Sequence, residues 1–446
     1  MLERWLTNLK AVYFTRHMVL LTMLGFSSGL PLLLVYSTLS FWLLDVGLAI
    51  GAVGIFSAVR TPYSFKFTWA PLLDHVPLPV LTRWLGRRRA WMLVLQVLLL
   101  GALVCTGSTD PGANPWWTGL GALLIAALSA SQDVVVDAYR VEILEEDEQG
   151  AGAAAAVFGY RIGMLVAGAG ALAMAEYWGD WGLVYMVMAG FMSVGVLATA
   201  VAPEPERPVP QDDPLHPDAP GSRTGKERAW AWVVRAVWGP LREMFSREGW
   251  WLWVLFIMAY KLGDALAGTM LNPFLVDLGF TKLEIAGVAK TYGLATSIFG
   301  VFFGGWLVKH TGVLRALWIA GFMQMGSNLI FILQAWAGHD LFWLALTIGV
   351  ENLCGGVGTA AFVAYLSGLC KREYTATQYA LLTAISSTLR LALSTSTGFL
   401  AGAMGWASYF GLTTLSALPG LALLWWMRQR QTSSDPDDEG AQDALP

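Results

Sequence analysis

The chain has 446 residues, 56% of them hydrophobic and only 13% charged, with a mean hydropathy of +0.54, which excludes an ordinary soluble domain and describes an integral membrane protein. Its net charge of -4 leans on an acidic tail, DPDDEG from Asp435 onward, so no nucleic-acid partner is expected. The odd set Cys105, Cys354 and Cys370 lacks the paired spacing of a disulfide framework or a zinc site, and neither a metal nor a cofactor is expected.

Residues 1–16 are mixed polar and apolar without a small-residue cleavage site, and read as a cytoplasmic lead-in. Windows of about 19 residues then predict twelve membrane-spanning helices. They cover 17–43, 49–73, 90–109, 116–141, 150–175, 181–202, 249–275, 283–308, 313–335, 341–369, 375–403 and 405–427. With the N-terminus inside, the inner loops hold Arg83, Arg87, Arg88, Arg89, Lys309, Lys371 and Arg372, against Lys282 outside. This asymmetry places both termini in the cytoplasm.

The expected organisation is a six-helix bundle over 1–202, a cytoplasmic linker over 203–248, a second bundle over 249–428 and an acidic tail over 429–446. Seven prolines between Pro203 and Pro220 keep the linker extended. Further on, Trp230, Val234, Trp238, Leu241 and Phe245 recur at helical spacing, and Arg228, Arg235 and Arg242 every seven residues, which predicts an interfacial helix. The bundles look like repeats. Asp45-Val46-Gly47 after the first span matches Asp277-Leu278-Gly279 after the seventh, and Gln149 to Arg161 has the spacing of Gln378 to Arg390. These features together point to the major facilitator architecture, an all-α fold of two pseudo-symmetric bundles.

Ten charged residues lie well inside the spans: Arg60, Lys66, Asp133, Asp137, Arg161, Lys261, Asp264, Lys290, Glu351 and Arg390. Each costs roughly 2.5–3.5 kcal/mol at the bilayer centre unless it faces water or a partner. They fall on spans 2, 4, 5, 7, 8, 10 and 11 and avoid spans 3, 6, 9 and 12, which pack outside in facilitators. A solvated central cavity follows. Six cations against four anions make that cavity positive and suit an anionic solute.

On span 11, Thr383, Ser387, Arg390, Ser394 and Thr397 share one face, and Arg390 with its counterpart Arg161 forms a candidate carboxylate clamp. The alternative for Arg161 is a structural bridge to Asp133. Arg60, Tyr63 and Lys66 step by three along span 2, where Pro62 should bend the helix, and Lys261, Lys290 and the cations above complete the candidate binding set. Tyr160 and Tyr260 are further candidate contacts. Lys261 and Asp264, three apart, can pair. Asp133, Asp137, Asp264 and Glu351 are candidates for proton coupling, against the alternative that each only neutralises a cation. Between the spans, Arg87, Arg88 and Arg89 oppose Glu142, Glu145, Glu146, Asp147 and Glu148, which predicts an exposed, salt-sensitive latch, against the alternative of a solvated acidic loop beside a topogenic basic one.

GFSSGLP at Gly25, SASQDVVVDA at Ser129, GAGAA at Gly150 and GYRIGML at Gly159 resemble the AmpG-type muropeptide permeases, as do YKLGDA at Tyr260, ENLCGGVGTAAFVA at Glu351 and ATQYALL at Ala376. The loop with Asp74 and Gly86-Arg87-Arg88-Arg89 also looks like the facilitator loop signature, although an insertion separates its aspartate from its glycine. The resemblance implies proton-driven import of anhydromuropeptides, anionic sugar-peptides of the cell wall, through a bacterial inner membrane by a protein that works as a monomer. A transporter of another anion such as acetyl-CoA remains open, as does a membrane solute sensor. An enzyme is not expected, because the five histidines fall in loops or at span ends.

Overall fold

In hydrocarbon every backbone N–H and C=O must bond within its own segment, so apolar runs of about 20 residues fold as helices. The computed structural model describes residues 13–48, 56–205, 238–281, 284–394 and 397–434, and every regular element among them is helical. Nine of these helices are long and apolar enough to cross a membrane. In chain order they are α1 (Arg16–Asp45), α3 (Arg87–Gly107), α4 (Pro115–Ile143), α5 (Glu146–Trp178), α6 (Trp181–Val201), α7 (Trp250–Asp277), α9 (Val313–Ala337), α10 (Leu341–Gly368) and α12 (Trp406–Met427).

Three predicted spans take less regular forms. The second, α2 (57–75), is a chain of short α and 3₁₀ turns, Ser57–Arg60, Thr61–Phe65, Lys66–Thr68 and Ala70–His75. Pro62 and Pro71 each remove a backbone donor there, so the bend expected at Pro62 spreads over the whole segment. The eighth, α8 (285–311), opens with a π-helical stretch, Ile285–Tyr292, before Gly293–Thr311. The eleventh, α11, is described as Thr375–Ser394 and Thr397–Met404. Most of the expected linker helix lies outside the described residues, of which Gly239–Ser246 forms a short helix.

The chain divides into two compact units. The first comprises 1–145, 155–242 and 370–380, and the second 146–154, 243–369 and 381–446. In the first unit, α1 and α5 cross with their backbones almost touching. A Cβ added at Gly29 would stand 2.1 Å from the Tyr160 carbonyl oxygen, and one at Gly163 2.3 Å from that of Phe26. Small residues permit such close crossings, where dispersion replaces the missing hydrophobic drive between helices in lipid. Both helices carry a π-turn, Leu34–Thr38 and Val166–Gly170, and the Thr38 hydroxyl donates to the Ala167 carbonyl across them at 2.7 Å. In the second unit α8 crosses α10 in the same way, on Gly300, Gly304 and Gly356.

The repeat read from the sequence has a physical counterpart in each unit. Trp181 Nε1 donates to Asp45 at 2.8 Å, and Trp406 Nε1 donates to Asp277 at 2.6 Å. Each aspartate precedes a left-handed glycine two residues on, Gly47 at φ 84° and Gly279 at φ 85°. Tyr185 and Tyr409 then donate to the Leu34 and Leu266 carbonyls, bonding α6 to α1 and α12 to α7.

Candidate functional site

In the first unit, α2 and α4 bring Tyr63, Lys66, Ser129, Gln132, Asp133 and Asp137 together. Asp133 and Asp137 are one turn apart, and the Lys66 ammonium acts electrostatically on both carboxylates. Above them the Arg60 guanidinium lies 4.4 Å from the centroid of the Tyr36 ring, and Tyr36 meets Tyr63 edge to face at 6.1 Å. Tyr160 on α5 adds a third phenol within electrostatic reach of Asp133 and Asp137. Gln132 Nε2 donates to the hydroxyls of Ser27 and Ser28 on α1.

Four buried polar atoms in this cluster, Tyr63 Oη, Ser129 Oγ, Gln132 Oε1 and Asp133 Oδ1, have no hydrogen-bond partner among the described residues. Leaving such an atom dry costs roughly 1–3 kcal/mol, so water or a polar ligand belongs here. The mixture of two cations, two carboxylates, three phenols and unpaired hydroxyl and amide groups suits a polyhydroxylated, anionic molecule.

The second unit presents a different set. α7 is interrupted at Lys261, which ends one helical stretch, Trp250–Tyr260, and caps the next, Leu262–Asp277. Its ammonium lies 3.3 Å from Asp264 Oδ2 and 3.5 Å from the Gly355 carbonyl of α10, so the expected intrahelical pair forms. Glu351 accepts from the neighbouring Asn352 amide at 2.8 Å, and Asp264 and Glu351 both act electrostatically on Cys354. Tyr260 packs in the core, where its ring stacks on Phe362 at 5.5 Å and its hydroxyl donates to the Leu317 carbonyl.

At the junction of α2, α3 and α4 a third cluster replaces the exposed latch expected from the sequence. Arg88 Nη2 contacts Asp74 at 2.7 Å and Glu142 at 2.6 Å, and Arg88 Nε donates to the second Glu142 oxygen at 3.0 Å. All three side chains are at most 2% exposed. The insertion between Asp74 and Gly86 folds out through the short helix Leu81–Leu85 and leaves the aspartate on the arginine. Asp74 also accepts from the N–H groups of Ala376 and Thr377, at 3.2 and 2.7 Å, and from the Thr377 hydroxyl at 2.6 Å. A carboxylate thus sits at the positive end of α11, where the helix dipole favours it. The other members of the expected latch go elsewhere. Arg89 donates to the Thr199 and Ala200 carbonyls at the end of α6, and Asp147 pairs with Lys309 at 3.5 Å.

Arg161 is half-buried on α5, while the side chains of Lys290 and Arg390 lie outside the described residues, so the clamp is not placed. Tyr36, Ser129 and Gln132 were not singled out from the sequence. Ser129 shares the helical face of Asp133 and Asp137, a periodicity visible in SASQDVVVDA, whereas nothing in the sequence brings Gln132 to Ser27 and Ser28 or Tyr36 to Arg60.

A model of the Major Facilitator Superfamily matches residues 12–349. The chain belongs to that superfamily. Within it the chain is 40% identical over 411 residues to the anhydromuropeptide permease of Escherichia coli K12, covering 92% of this chain and 79% of the relative. It is 35% identical over 413 residues to the putative transporter AmpG 4 of Rickettsia felis, covering 91% and 95%. It is therefore a member of the AmpG-type permeases. Among solved structures, the transporter FucP in its outward conformation superposes with a TM-score of 0.63 at 16% identity, covering 93% of this chain and 99% of the other. The proton:xylose symporter XylE superposes with a TM-score of 0.61 at 11% identity, covering 94% and 96%. These likenesses confirm the fold, and the protein is a membrane transporter.

Proposed function

We propose that the protein imports anhydromuropeptides across the bacterial inner membrane by proton-coupled alternating access, with both termini cytoplasmic and the protein acting as a monomer. The observation that carries this reading is the α2–α4 cluster. Its unpaired hydroxyl, amide and carboxylate atoms lie beside Lys66 and close to the Arg60–Tyr36 stack, a chemistry fitted to sugar hydroxyls and carboxylates. The name of the Escherichia coli relative agrees.

Arg60, Tyr63, Lys66, Arg161, Lys261, Lys290 and Arg390 then bind substrate, and Asp133, Asp137, Asp264 and Glu351 carry the proton. The electrostatic hold of Lys66 on two carboxylates and the Lys261–Asp264 pair are interactions that protonation would loosen. The two bundles, 1–202 and 249–428, move about the linker between them. The Asp74–Arg88–Glu142 cluster holds the cytoplasmic ends of its helices.

Purified protein in proteoliposomes with an imposed pH gradient, acidic outside, should accumulate a labelled GlcNAc-anhydroMurNAc-peptide. Acetyl-CoA should not be taken up. Accumulation of acetyl-CoA without the muropeptide would replace the substrate assignment, and binding without exchange would identify a sensor.

A further inference from the structure

α9 carries no deep charge and belongs by position to the outer set, yet it buries an unusual pair of amides against the break in α7. Gln324 is 3% exposed and Asn328 1%, and they stand one turn apart on the same face. Neither Gln324 Nε2 nor Asn328 Nδ2 has a hydrogen-bond partner among the described residues. Glycines on three sides let them in. Gln324 lies across Gly358 where a side chain would block it, Asn328 Nδ2 reaches to 3.2 Å from where a Cβ on Gly263 would stand, and Gly321 keeps the face of α9 open. Gln324 and Asp264 line one small cavity together with Tyr260, Gly263, Gly321, Ala417 and Leu421. It has room for about one water molecule.

The Gln324 amide, with no acceptor among the described residues, and the Asp264 carboxylate share this space. Among the described residues Asp264 Oδ2 receives the Lys261 ammonium, at 3.3 Å, from the same helix. We propose that the cavity between α7, α9 and α12 is a binding site for a single ordered water, which accepts a hydrogen bond from Gln324 Nε2 and donates one to the Asp264 carboxylate. Asn328, one turn along, points its amide to the same region from beside Gly263. The water satisfies the Gln324 amide, which otherwise stays dry, and it solvates Asp264 from the side of α9.

The groups facing Asp264 are then Lys261 and Tyr260 from its own helix, the Gly355 carbonyl that shares Lys261, Cys354 from α10, and the water held by α9. The role given to the water rests on the proton-coupled reading, because a carboxylate solvated from behind keeps a hydrogen-bond partner when Lys261 leaves it. The existence of the water does not rest on that reading.

Infrared difference spectra of the purified protein, wild type minus variant at one pH, test the site without any transport substrate. Water O–H stretches are identified by their shift in H₂¹⁸O. One such band should appear in the wild type and vanish in Asp264→Asn, which removes the charged acceptor. It should also vanish in Gln324→Met, which removes the donor, and in Ala417→Val, which fills the cavity and touches no polar group. Melting curves of the variants check that each is folded, and Ala417→Val keeps the test open if Gln324→Met does not fold. A band that survives in Ala417→Val and Gln324→Met, or no isotope-sensitive band in the wild type, overturns the proposal. Because substrate uptake is not measured, failure of the muropeptide assignment leaves this outcome unaffected.

Discussion

Single residues decide where charge can be buried, and Arg88 shows the limits of reading them from sequence. Hydropathy marks the deep charges, because a lone ion in an apolar run is conspicuous. It passes over Asp74, Arg88 and Glu142, which lie at span ends where charge is ordinary. Their pairing depends on how far each helix turns and where it stops, which no local pattern encodes. Since Glu142 and Arg88 are almost fully buried, Glu142→Gln should destabilise the protein by about 3–5 kcal/mol, measured by denaturant or thermal unfolding in detergent. Salt should have little effect on this pair. Asp147→Asn, which removes only the half-exposed bridge to Lys309, should cost at most about 1 kcal/mol and be salt-sensitive.

Glu204, just beyond α6, makes a second test at the residue scale. Its carboxylate accepts the N–H groups of Arg88 and Arg89 at 2.9 and 3.1 Å, capping α3. Burial nevertheless raises its pKa above the ordinary 4.5, outweighing those hydrogen bonds and the Arg88 charge. The folded state therefore holds this proton at a pH where the unfolded chain has released it, so the contribution of Glu204 to stability declines as pH rises from about 4.5 through the raised value. Melting temperature should fall across that window in the wild type. Glu204→Gln, which does not titrate, should flatten this part of the profile, and an unchanged slope would show that Glu204 is not its source.

Elements were legible where apolarity alone decides them. The predicted 90–109 and 116–141 became α3 (Arg87–Gly107) and α4 (Pro115–Ile143), within three residues at every boundary. The broken form of α2 and the π-turns in α1 and α5 were less legible, since they arise where backbones pack or prolines interrupt bonding. Glycine spacing was the underused signal. GFSSG at Gly25 to Gly29 and GYRIG at Gly159 to Gly163 are small-x-x-x-small patterns, and they are the faces on which α1 and α5 cross. A side chain at Gly163 would have to displace the Phe26 carbonyl of the partner helix, not merely a mobile side chain. Gly163→Leu should therefore prevent α1 and α5 from docking while both still insert. Thermal unfolding in detergent should then show a lower melting temperature for Gly163→Leu than for the wild type. An unchanged melting temperature would show that the close approach is dispensable.

At the scale of the whole molecule, the internal repeat places similar clamps in both units but different chemistry in their polar interiors. Asp45–Trp181 and Asp277–Trp406 match almost atom for atom, whereas in the α2–α4 cluster one lysine acts electrostatically on two aspartates and in α7 one lysine pairs with one. Duplication accounts for the scaffold, and the divergence falls on the ionisable groups. If α7 and α10 carry the coupling proton, Asp264→Asn or Glu351→Gln should leave exchange of labelled for unlabelled substrate intact, because exchange moves no net proton. The same variant should lose accumulation driven by a pH gradient. Asp264 is the stronger candidate of the two, since its Lys261 partner sits at the interruption of α7, where release of the ion pair can be felt by both helical segments. Counterflow and gradient-driven uptake measured on the same proteoliposomes separate the outcomes. Normal accumulation in both variants would move the coupling site to the first unit, where Asp133 and Asp137 share Lys66. Asp133→Asn would then be expected to uncouple uptake in the same way.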